Sequence, residues 1–463
     1  MAPWVRHFSP SAARAGLAGL LAVLLPALLL LARRSRPSDE HRRGTRIIDG
    51  RRAQRRGARL KRRGAPVVTL AGIAIDASEE TKHFKLIGTT GTGKSTAIRE
   101  LLGAALARGD RAVIADPHGG YRARFFSPLR GDVLLNPFEA GSVRWDPFAE
   151  ILAPGDAEQL AGSLIPSTED ASGREWRGYA RTFLTALLRR CHEGHRDAAE
   201  LWRLIAVADS AELRSIVCAT PAQPFLEPEN ARMFGSIRSV AASSAAALEH
   251  VGSQRSRAFS VRNWVREGRG VLFLPYQAGQ IAALRAVIAA WVRLAVFETM
   301  SVEGDRRLWF VVDELDALGA IDGLKDALAR LRKFGGRCVL GFQSLAQVSA
   351  TYGPGEAQTI VENCGNTLIL RCSASERGGT AQFASRLIGE HQVLRRLSSR
   401  GRDGMGGLGR GARGPRRSLQ VSEQQVIEAA VLASQIEQLP DFTGYLKTAG
   451  SPVWLNVRFG RAP

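Results

Sequence analysis

The sequence is poor in cysteine, in lysine and in acidic residues, and each shortage narrows the class of protein. Its 463 residues include five cysteines, which show neither a CxxC pair nor a Cys/His spacing suited to zinc. An odd number of scattered cysteines indicates reduced thiols in a cytosolic body rather than a disulfide framework. No LSGGQ-like string and no HExxH occur, which disfavours an ABC transporter and a metalloprotease.

The charge of the chain is strongly one-sided. It has 64 Lys and Arg against 44 Asp and Glu, a formal net charge of +20, and only seven of the basic residues are lysine. Arginine suits phosphate because its planar guanidinium donates two hydrogen bonds. The composition therefore predicts attraction to polyanions. Genome composition is an alternative explanation of the ratio of arginine to lysine, but it leaves the charge in place.

Long apolar runs are scarce, and one stands out near the start of the chain. Residues 16–32, GLAGLLAVLLPALLLLA, contain no charged residue and would extend about 25 Å as a helix, at the short end of what spans a bilayer. The 14 Lys and Arg among residues 33–63 favour a cytoplasmic location for the rest of the chain. We expect a single-pass membrane anchor over 1–34 and a basic, disordered linker over 35–66. A cleaved signal peptide and a short buried helix are the alternatives.

The stretch KLIGTTGTGKSTAIRELL, 85–102, has the pattern of a phosphate-binding loop. It fits GxxxxGK[ST] at every fixed position, with a strand-like run before it and helical spacing after it. Its glycines allow backbone N–H groups to turn toward a β-phosphate at the positive end of the helix dipole. We expect Lys94 to reach the β- and γ-phosphates and Ser95 to ligate Mg²⁺. The predicted nucleotide-binding residues are Gly88, Thr89, Thr90, Gly91, Thr92, Gly93, Lys94, Ser95 and Thr96.

An apolar run that ends in two acids, LWFVVDE at 308–314, predicts the second half of the nucleotide site. Five consecutive apolar residues are typical of a strand buried on both faces of a parallel sheet, and such sheets bind ligands at the carboxyl ends of their strands. We expect Asp313 to hold Mg²⁺ and Glu314 to be the general base on the attacking water. Gln343, which ends the strand-like run 337–343, is predicted to contact γ-phosphate and water.

Further strand-like runs alternate with helical patterns, and this alternation predicts an α/β fold with a mostly parallel sheet. Between WDPF, 145–148, and the run at 270, by contrast, the spacing of apolar residues is helical and no strand-like run stands out. The remaining strand candidates are 83–87, 111–116, 132–137, 270–275 and 366–372.

Two other basic features invite functional hypotheses. Arg371 and Arg377 are candidates for an arginine finger delivered to the γ-phosphate of a neighbouring subunit, although so arginine-rich a chain has other uses for each. The segment 395–418 has much glycine, few apolar residues and eight arginines against one acid. This composition predicts a mobile loop, and its charge motivates the hypothesis of DNA contact.

With these motifs in place, the chain resembles the TraD-type coupling proteins of type IV secretion and conjugation systems. The resemblance extends from residue 83 to about residue 460 and rests on several strings. They are GTTGTGKS, ADPHGGY (115–121), WDPF, the long block from VVDELDALG to LAQVSATYG, EAQTIVENCGNTLIL and IGEH (388–391). The resemblance implies a RecA-like P-loop NTPase core, an inserted all-α domain and a membrane-anchored homohexamer. It also implies that Lys94, Ser95, Asp313, Glu314 and Gln343 take the family's nucleotide roles.

The resemblance further implies an ATPase, with ATP and Mg²⁺ as cofactors, that passes relaxase-bound DNA to a type IV secretion channel at the bacterial inner membrane. We expect a nucleotide-binding domain over 67–150 and 263–463 and an all-α domain over 151–262. Family members usually have two membrane helices, whereas this sequence shows one such run. A chromosome-pumping DNA translocase and a receptor that binds ATP without hydrolysis are the alternative functions. An intact Glu314 disfavours the receptor, because binding alone needs no general base.

Overall fold

The computed structural model describes residues 40–460, apart from 65, 168–170, 302–303, 305, 376–377 and 403–416. The predicted anchor over 1–34 and Arg377 therefore lie outside the described residues. The chain divides into a smaller unit, Met1–Thr45 with Gly389–Ala430, and a larger unit, Arg46–Ile388 with Val431–Pro463.

The strands of the described residues follow one another as β1 (Glu40–Gly44), β2 (Ile47–Asp49), β3 (Thr69–Leu70), β4 (Ile73–Ala74), β5 (Phe84–Ile87), β6 (Arg111–Pro117), β7 (Val133–Leu134), β8 (Arg144–Trp145), β9 (Ala258–Phe259), β10 (Val271–Tyr276), β11 (Leu308–Val312), β12 (Gly336–Phe342), β13 (Asn366–Ile369), β14 (Glu390–Arg402), β15 (Arg417–Ala429), β16 (Thr443–Lys447) and β17 (Trp454–Arg458).

The α-helices of the described residues are α1 (Arg51–Arg62), α2 (Ala77–Glu80), α3 (Lys94–Ala107), α4 (Gly120–Phe125), α5 (Asp156–Leu164), α6 (Ala171–Glu193), α7 (Ala198–Ala206), α8 (Ser210–Ile216), α9 (Ala231–Ser244), α10 (Ala247–Ser253), α11 (Val261–Glu267), α12 (Ile281–Thr299), α13 (Leu324–Leu331), α14 (Leu345–Tyr352), α15 (Pro354–Asn363), α16 (Gly379–Ile388) and α17 (Ala433–Glu437).

The larger unit is built around a sheet with the strand order β2-β17-β16-β13-β5-β12-β11-β6-β10-β7. Every neighbouring pair from β13 to β7 is parallel, whereas β16 is antiparallel to both of its neighbours. All five residues of β11 are buried, as a central strand covered on both faces requires. The predicted mostly parallel α/β fold is confirmed, and β5, β6, β7, β10, β11, β12 and β13 form where strand-like runs were predicted.

A helical segment is inserted in the chain between β7 and β10, which are neighbouring strands of the large sheet. Its helices α5 to α10 lie between the two short strands β8 and β9, which pair in parallel and hold the entry and exit of the segment together. The buried carboxylate of Glu150 reinforces this closure. It accepts hydrogen bonds from the backbone N of Val261 at 2.7 Å and from Trp145 Nε1 at 3.0 Å. The helices agree with an inserted all-α segment, whereas its bounds as a domain, 151–262, stay a prediction.

The prediction of a disordered linker over 35–66 is wrong for its described part. Strand β2 adds in parallel to β17, and α1 packs against the turn between β3 and β4. Gly57 of α1 is buried so closely that a Cβ there would lie 2.3 Å from the carbonyl oxygen of Gly72. Gln54 Nε2 donates to Ala71 O at 2.8 Å. The high net charge of this segment gave no indication of helix α1, because composition does not distinguish its basic face from the face that packs on the turn between β3 and β4.

The prediction of a mobile loop over 395–418 is also wrong at both ends of that segment. In the smaller unit, β14 and β15 form a long antiparallel hairpin in which Glu390 lies opposite Ala429 and Arg402 opposite Arg417, and β1 pairs with β14. Residues 403–416 lie outside the described residues. Backbone hydrogen bonds of a hairpin do not require apolar side chains, so the low apolar content was a poor guide.

No helix among the described residues is long and apolar enough to span a bilayer. The apolar run at 16–32 lies outside those residues.

His83, directly before β5, connects three elements of the larger unit. Its Nδ1 accepts a hydrogen bond from the backbone N of Cys338 at 3.1 Å, and its Nε2 lies 2.9 Å from the carbonyl oxygen of Leu328. Since Nδ1 accepts, the ring is neutral with its proton on Nε2. Burial lowers the pKa of His83 from 6.5 to about 4.

We expect His83 to make the free energy of unfolding depend on pH between 6.5 and about 4. In this range the unfolded histidine binds a proton and the folded one does not, so this contribution is lost as the pH falls. The pKa shift corresponds to about 3 kcal/mol. His83→Asn, which tolerates the positive φ at this position, should flatten the profile measured by urea unfolding. Parallel profiles for the two proteins would contradict this role.

Candidate nucleotide site at the carboxyl edge of the sheet

The glycine-rich loop connects β5 to α3 at the carboxyl edge of the sheet. Gly93 adopts a left-handed backbone with φ 113°, and a Cβ there would lie 2.8 Å from a ring carbon of Phe442. Gly88 is equally confined, because a Cβ would lie 2.9 Å from Leu370 Cβ. Both positions therefore require glycine. The loop leads its backbone N–H groups into the first turn of α3, which carries Ser95 and Thr96, where the helix dipole favours an anion.

Side chains of the loop fix its shape. Thr92 Oγ1 donates to the carbonyl oxygen of Thr89 at 2.7 Å, and the backbone N of Thr89 donates to Arg371 O at 2.8 Å. Lys94 Nζ donates to Gly88 O at 2.6 Å and to Thr89 O at 3.3 Å. Burial lowers the pKa of Lys94, while Asp313 and Glu314 oppose the shift. The lysine ammonium thus lies against the loop predicted to hold phosphate.

Asp313 follows β11 and meets the first turn of α3. Its Oδ2 accepts hydrogen bonds from Ser95 Oγ at 2.6 Å and from Tyr121 OH at 2.8 Å. The carboxylate is buried, and within the described part of the chain its Oδ1 has no hydrogen-bond partner. A buried, unpartnered carboxylate oxygen beside a serine hydroxyl is a hard oxygen donor set of the kind that Mg²⁺ prefers. The residues present therefore fit the predicted metal.

Glu314 lies next along the chain and is half-buried. Burial raises the pKa of the Glu314 carboxyl above its ordinary value. The neighbouring Asp313 and Asp316 raise it further, whereas His118 and Lys94 lower it. A carboxylate with a raised pKa is a stronger proton acceptor than a solvated one. This environment suits a general base, and that role of Glu314 stays a prediction.

Gln343 follows β12 and is close to the glycine-rich loop. Its Oε1 accepts a hydrogen bond from Thr90 Oγ1 at 3.0 Å. Strand β12 also approaches Asp313 at the end of β11, because a Cβ on Gly341 would lie 2.3 Å from the carbonyl oxygen of Asp313. The structure thus brings together the three strand ends singled out in the sequence. Contact of Gln343 with γ-phosphate and water stays a prediction.

Of the two predicted arginine fingers, the structure describes Arg371. Its carbonyl oxygen accepts from the backbone N of Thr89 in the glycine-rich loop, and its guanidinium forms an ion pair with Asp441 at 2.7 Å. Arg371 is half-exposed in this pair. Arg377 lies outside the described residues, and the finger role of either residue stays a prediction.

Tyr121 is the functional residue that sequence reasoning missed. Its buried hydroxyl donates to Asp313, and burial raises its pKa well above the ordinary value, so the hydroxyl keeps its proton. Asp116, at the end of β6, aims this tyrosine by accepting from the backbone N of Tyr121 at 2.9 Å and of Arg122 at 2.7 Å. The available signal was ADPHGGY, which follows the strand-like run 111–116 and contributed only to the resemblance.

The chain is similar to proteins of one family. A family model described as the type IV secretion-system coupling protein DNA-binding domain matches residues 67–459. The coupling protein TraD of Escherichia coli (strain K12) is 29% identical over 410 residues, which cover 86% of this chain and 55% of TraD. VirD4, the type IV secretion system-coupling protein of Bartonella quintana (strain Toulouse), is 25% identical over 223 residues, or 42% of this chain and 34% of VirD4. The chain thus spans about half the length of TraD and about a third of VirD4.

Solved structures share the fold over nearly the whole described chain. The bacterial conjugative coupling protein TrwBdeltaN70 superposes with a TM-score of 0.79 at 30% identity, covering 92% of this chain and 95% of that one. TrwB in complex with ADP and Mg²⁺ gives 0.78 at 30% identity with the same coverage. VirB4 of Thermoanaerobacter pseudethanolicus, at 16% identity and a TM-score of 0.50 over 84% of this chain and 94% of that one, is similar in fold alone.

Proposed function

The chain belongs to the family of type IV secretion-system coupling protein DNA-binding domains, and from this premise we propose that it is an ATP-hydrolysing motor that moves DNA toward a type IV secretion channel during conjugation. One observation carries the catalytic part of the proposal. Ser95 and Tyr121 hold one oxygen of Asp313 and leave the other without a partner among the described residues, beside the glycine-rich loop and Glu314. TrwB, crystallised with ADP and Mg²⁺, supports the same ligands here.

In the proposed reaction, backbone N–H groups of the loop and Lys94 bind the phosphates of ATP. Ser95 and Asp313 would hold Mg²⁺, which when bound neutralises phosphate charge and positions the transferred group. Glu314 accepts the proton of the attacking water, favoured by its raised pKa. Gln343 accepts a hydrogen bond from Thr90 at 3.0 Å and directly follows β12. Loss of the γ-phosphate would therefore alter the contacts of Gln343 and shift the end of this strand.

We further propose that DNA, as the relaxase-bound transfer strand, is the polymer moved and that the active form is a homohexamer. The net charge of +20 and the family's DNA-binding description support the polymer. The similarity to the bacterial conjugative coupling protein TrwBdeltaN70 supports the link to conjugation. A single-pass anchor at 16–32 would place the chain on the inner membrane with its bulk in the cytoplasm. The nucleotide-binding domain would then comprise 67–150 and 263–463 around the helical insert.

Lys94→Ala tests the nucleotide site in the full-length chain. Loss of hydrogen bonds from a charged donor to phosphate should weaken ATP binding roughly 10- to 100-fold, measured by calorimetry with Mg²⁺ present. Lys333→Ala removes an exposed lysine at the amino end of β12 and is the matched control. Equal ATP affinity in Lys94→Ala and wild type would remove the proposed site.

Measurements of ATP hydrolysis and of conjugative DNA transfer distinguish the proposed motor from the two alternative functions. We expect the ATPase rate per subunit to rise with protein concentration and with single-stranded DNA. Both would promote assembly of the subunits, and an active site formed between two subunits works only after assembly. Conjugative transfer at the wild-type level by Glu314→Gln, which should bind ATP without hydrolysing it, would favour an ATP-binding receptor instead. Stimulation by double-stranded DNA alone would favour a chromosome-pumping translocase.

A further inference from the structure

Helix α1 carries a one-sided ridge of arginines that the nucleotide site does not use. At 3.6 residues per turn, the positions of these side chains fall within about 140° of the helix circumference. All of them are exposed, and α1 contains no acidic residue. We call this surface the arginine ridge; its members are Arg51, Arg52, Arg55, Arg56, Arg59 and Arg62.

The opposite side of α1 is fixed to the larger unit. Gly57 packs on the backbone of Gly72, and Gln54 Nε2 donates to Ala71 O at 2.8 Å and to Arg458 O at 2.9 Å. The ridge therefore has a defined orientation relative to the sheet. The arginines thus lie on a helix that is packed against the fold, and not on a disordered charged tail.

Most of the ridge has no partner within the described part of the chain. Arg51 pairs with Asp49 at 3.6 Å, and Arg62 donates to its own helix at Ala58 O. The side chains of the four arginines between them make no hydrogen bond or ion pair to any described residue: Arg52, Arg55, Arg56 and Arg59. Four unpartnered guanidinium groups on one side of a helix form a site for several anions presented together.

Two members of the ridge lie where they do not help their own helix, whereas Arg59 and Arg62 in the last turn of α1 are favourably placed. Arg51 and Arg52 occupy the first turn of α1, which has no acid, and positive charge at a helix amino terminus is unfavourable. An anionic surface outside the protein would attract these arginines and offset their unfavourable interaction with the helix dipole. The charge pattern at the amino end of α1 thus fits an intermolecular role better than a structural one.

Two observations favour a membrane over DNA as that surface. The DNA-binding family model begins at residue 67, after the ridge. Eighteen residues separate the uncharged run 16–32 from Arg51, so the intervening chain reaches at most about 60 Å. Clusters of four to eight basic residues beside an apolar span are typical of sites for anionic lipids. We propose that the arginine ridge docks on the anionic phospholipid surface of the membrane and so orients the larger unit against the bilayer.

Fluorescence quenching by headgroup-labelled lipid tests this docking in the full-length chain. A fluorophore on Ala58→Cys, at the margin of the ridge, reports its distance from the bilayer once the exposed Cys218 is replaced by serine. The protein is combined with vesicles of phosphatidylcholine alone or mixed with phosphatidylglycerol. We expect strong quenching only with phosphatidylglycerol, and its loss at high salt.

Charge variants show whether the ridge is responsible. Each basic side chain strengthens binding to an anionic surface about fivefold, so changing Arg52, Arg55, Arg56 and Arg59 to glutamine should weaken binding by roughly several hundredfold. The same four changed to lysine should retain quenching, because lipid docking needs charge and not the guanidinium fork. A charge-matched control changes four exposed arginines elsewhere to glutamine: Arg174, Arg232, Arg255 and Arg257.

Three results would overturn the proposal. Quenching that is equal with and without phosphatidylglycerol would exclude an anionic lipid, and quenching that survives the four glutamines would exclude the ridge. Loss of single-stranded DNA affinity in the glutamine variant, together with unchanged quenching, would identify the ridge as a DNA surface. ATP binding and circular dichroism of each variant show whether the fold is kept. A variant that binds ATP normally but no longer docks on lipid distinguishes this proposal from the proposed ATPase activity.

Discussion

Glu314→Gln is expected to lower the ATPase rate on the order of a thousandfold, which lies within the range that a general base contributes. Glutamine keeps the size of the side chain but does not accept a proton from water. Burial beside Asp313 and Asp316 raises the pKa of Glu314, so its carboxylate is poised for that transfer. Loop 88–95 and Asp313 are untouched, and the affinity for ATP with Mg²⁺ should change little.

Steady-state turnover and calorimetric binding of ATP, measured on the same preparation, separate these two effects. Glu229→Gln is the matched control, since Glu229 is exposed and lies in the short turn Pro228–Asn230 of the helical segment. Turnover of Glu314→Gln within a factor of a few of wild type would assign the base elsewhere. Loss of ATP affinity as well would indicate a structural role for the carboxyl.

The core of the site was predictable because its constraints are local. A loop that holds phosphate by backbone N–H groups needs glycine at fixed spacing, and a strand covered on both faces needs an unbroken apolar run such as that of β11. Parallel strands share one carboxyl edge, so Asp313, Gln343 and the loop had to come close. The structure places Gln343 against Thr90 and Asp313 against Ser95.

What sequence reasoning missed depends on contacts between distant segments. Strand β2 and the antiparallel pair β16–β17 extend the sheet at one edge, where short, half-exposed strands give a weak pattern. Gly57 marks the docking of α1 only once Gly72 is known to face it. The role of Tyr121 depends on its hydrogen bond to Asp313, which lies 192 positions further along the chain. Spacing within a motif does not reveal such partners.

Tyr121→Phe is expected to weaken Mg²⁺ binding in the presence of nucleotide roughly 10- to 100-fold, or about 1.5 to 3 kcal/mol for a hydrogen bond to a charged group. The hydroxyl and Ser95 Oγ together hold Asp313 Oδ2. This geometry leaves Oδ1, which has no partner among the described residues, as the oxygen that would hold Mg²⁺. Phenylalanine keeps the buried ring, whose face lies 5.4 Å from the guanidinium of Arg99, so the change removes one donor and little packing.

The dependence on metal distinguishes positioning of Asp313 from a general loss of structure. Calorimetric titration of Mg²⁺ with ADP present should show the weaker binding, whereas affinity for ADP in the presence of a chelator should stay at the wild-type value. Tyr445→Phe, in β16, removes a half-buried tyrosine hydroxyl outside the site and is the control. Equal Mg²⁺ affinity in Tyr121→Phe and wild type would mean that Ser95 alone orients the carboxylate. Weaker binding of ADP without metal would instead place the effect of Tyr121 on the glycine-rich loop.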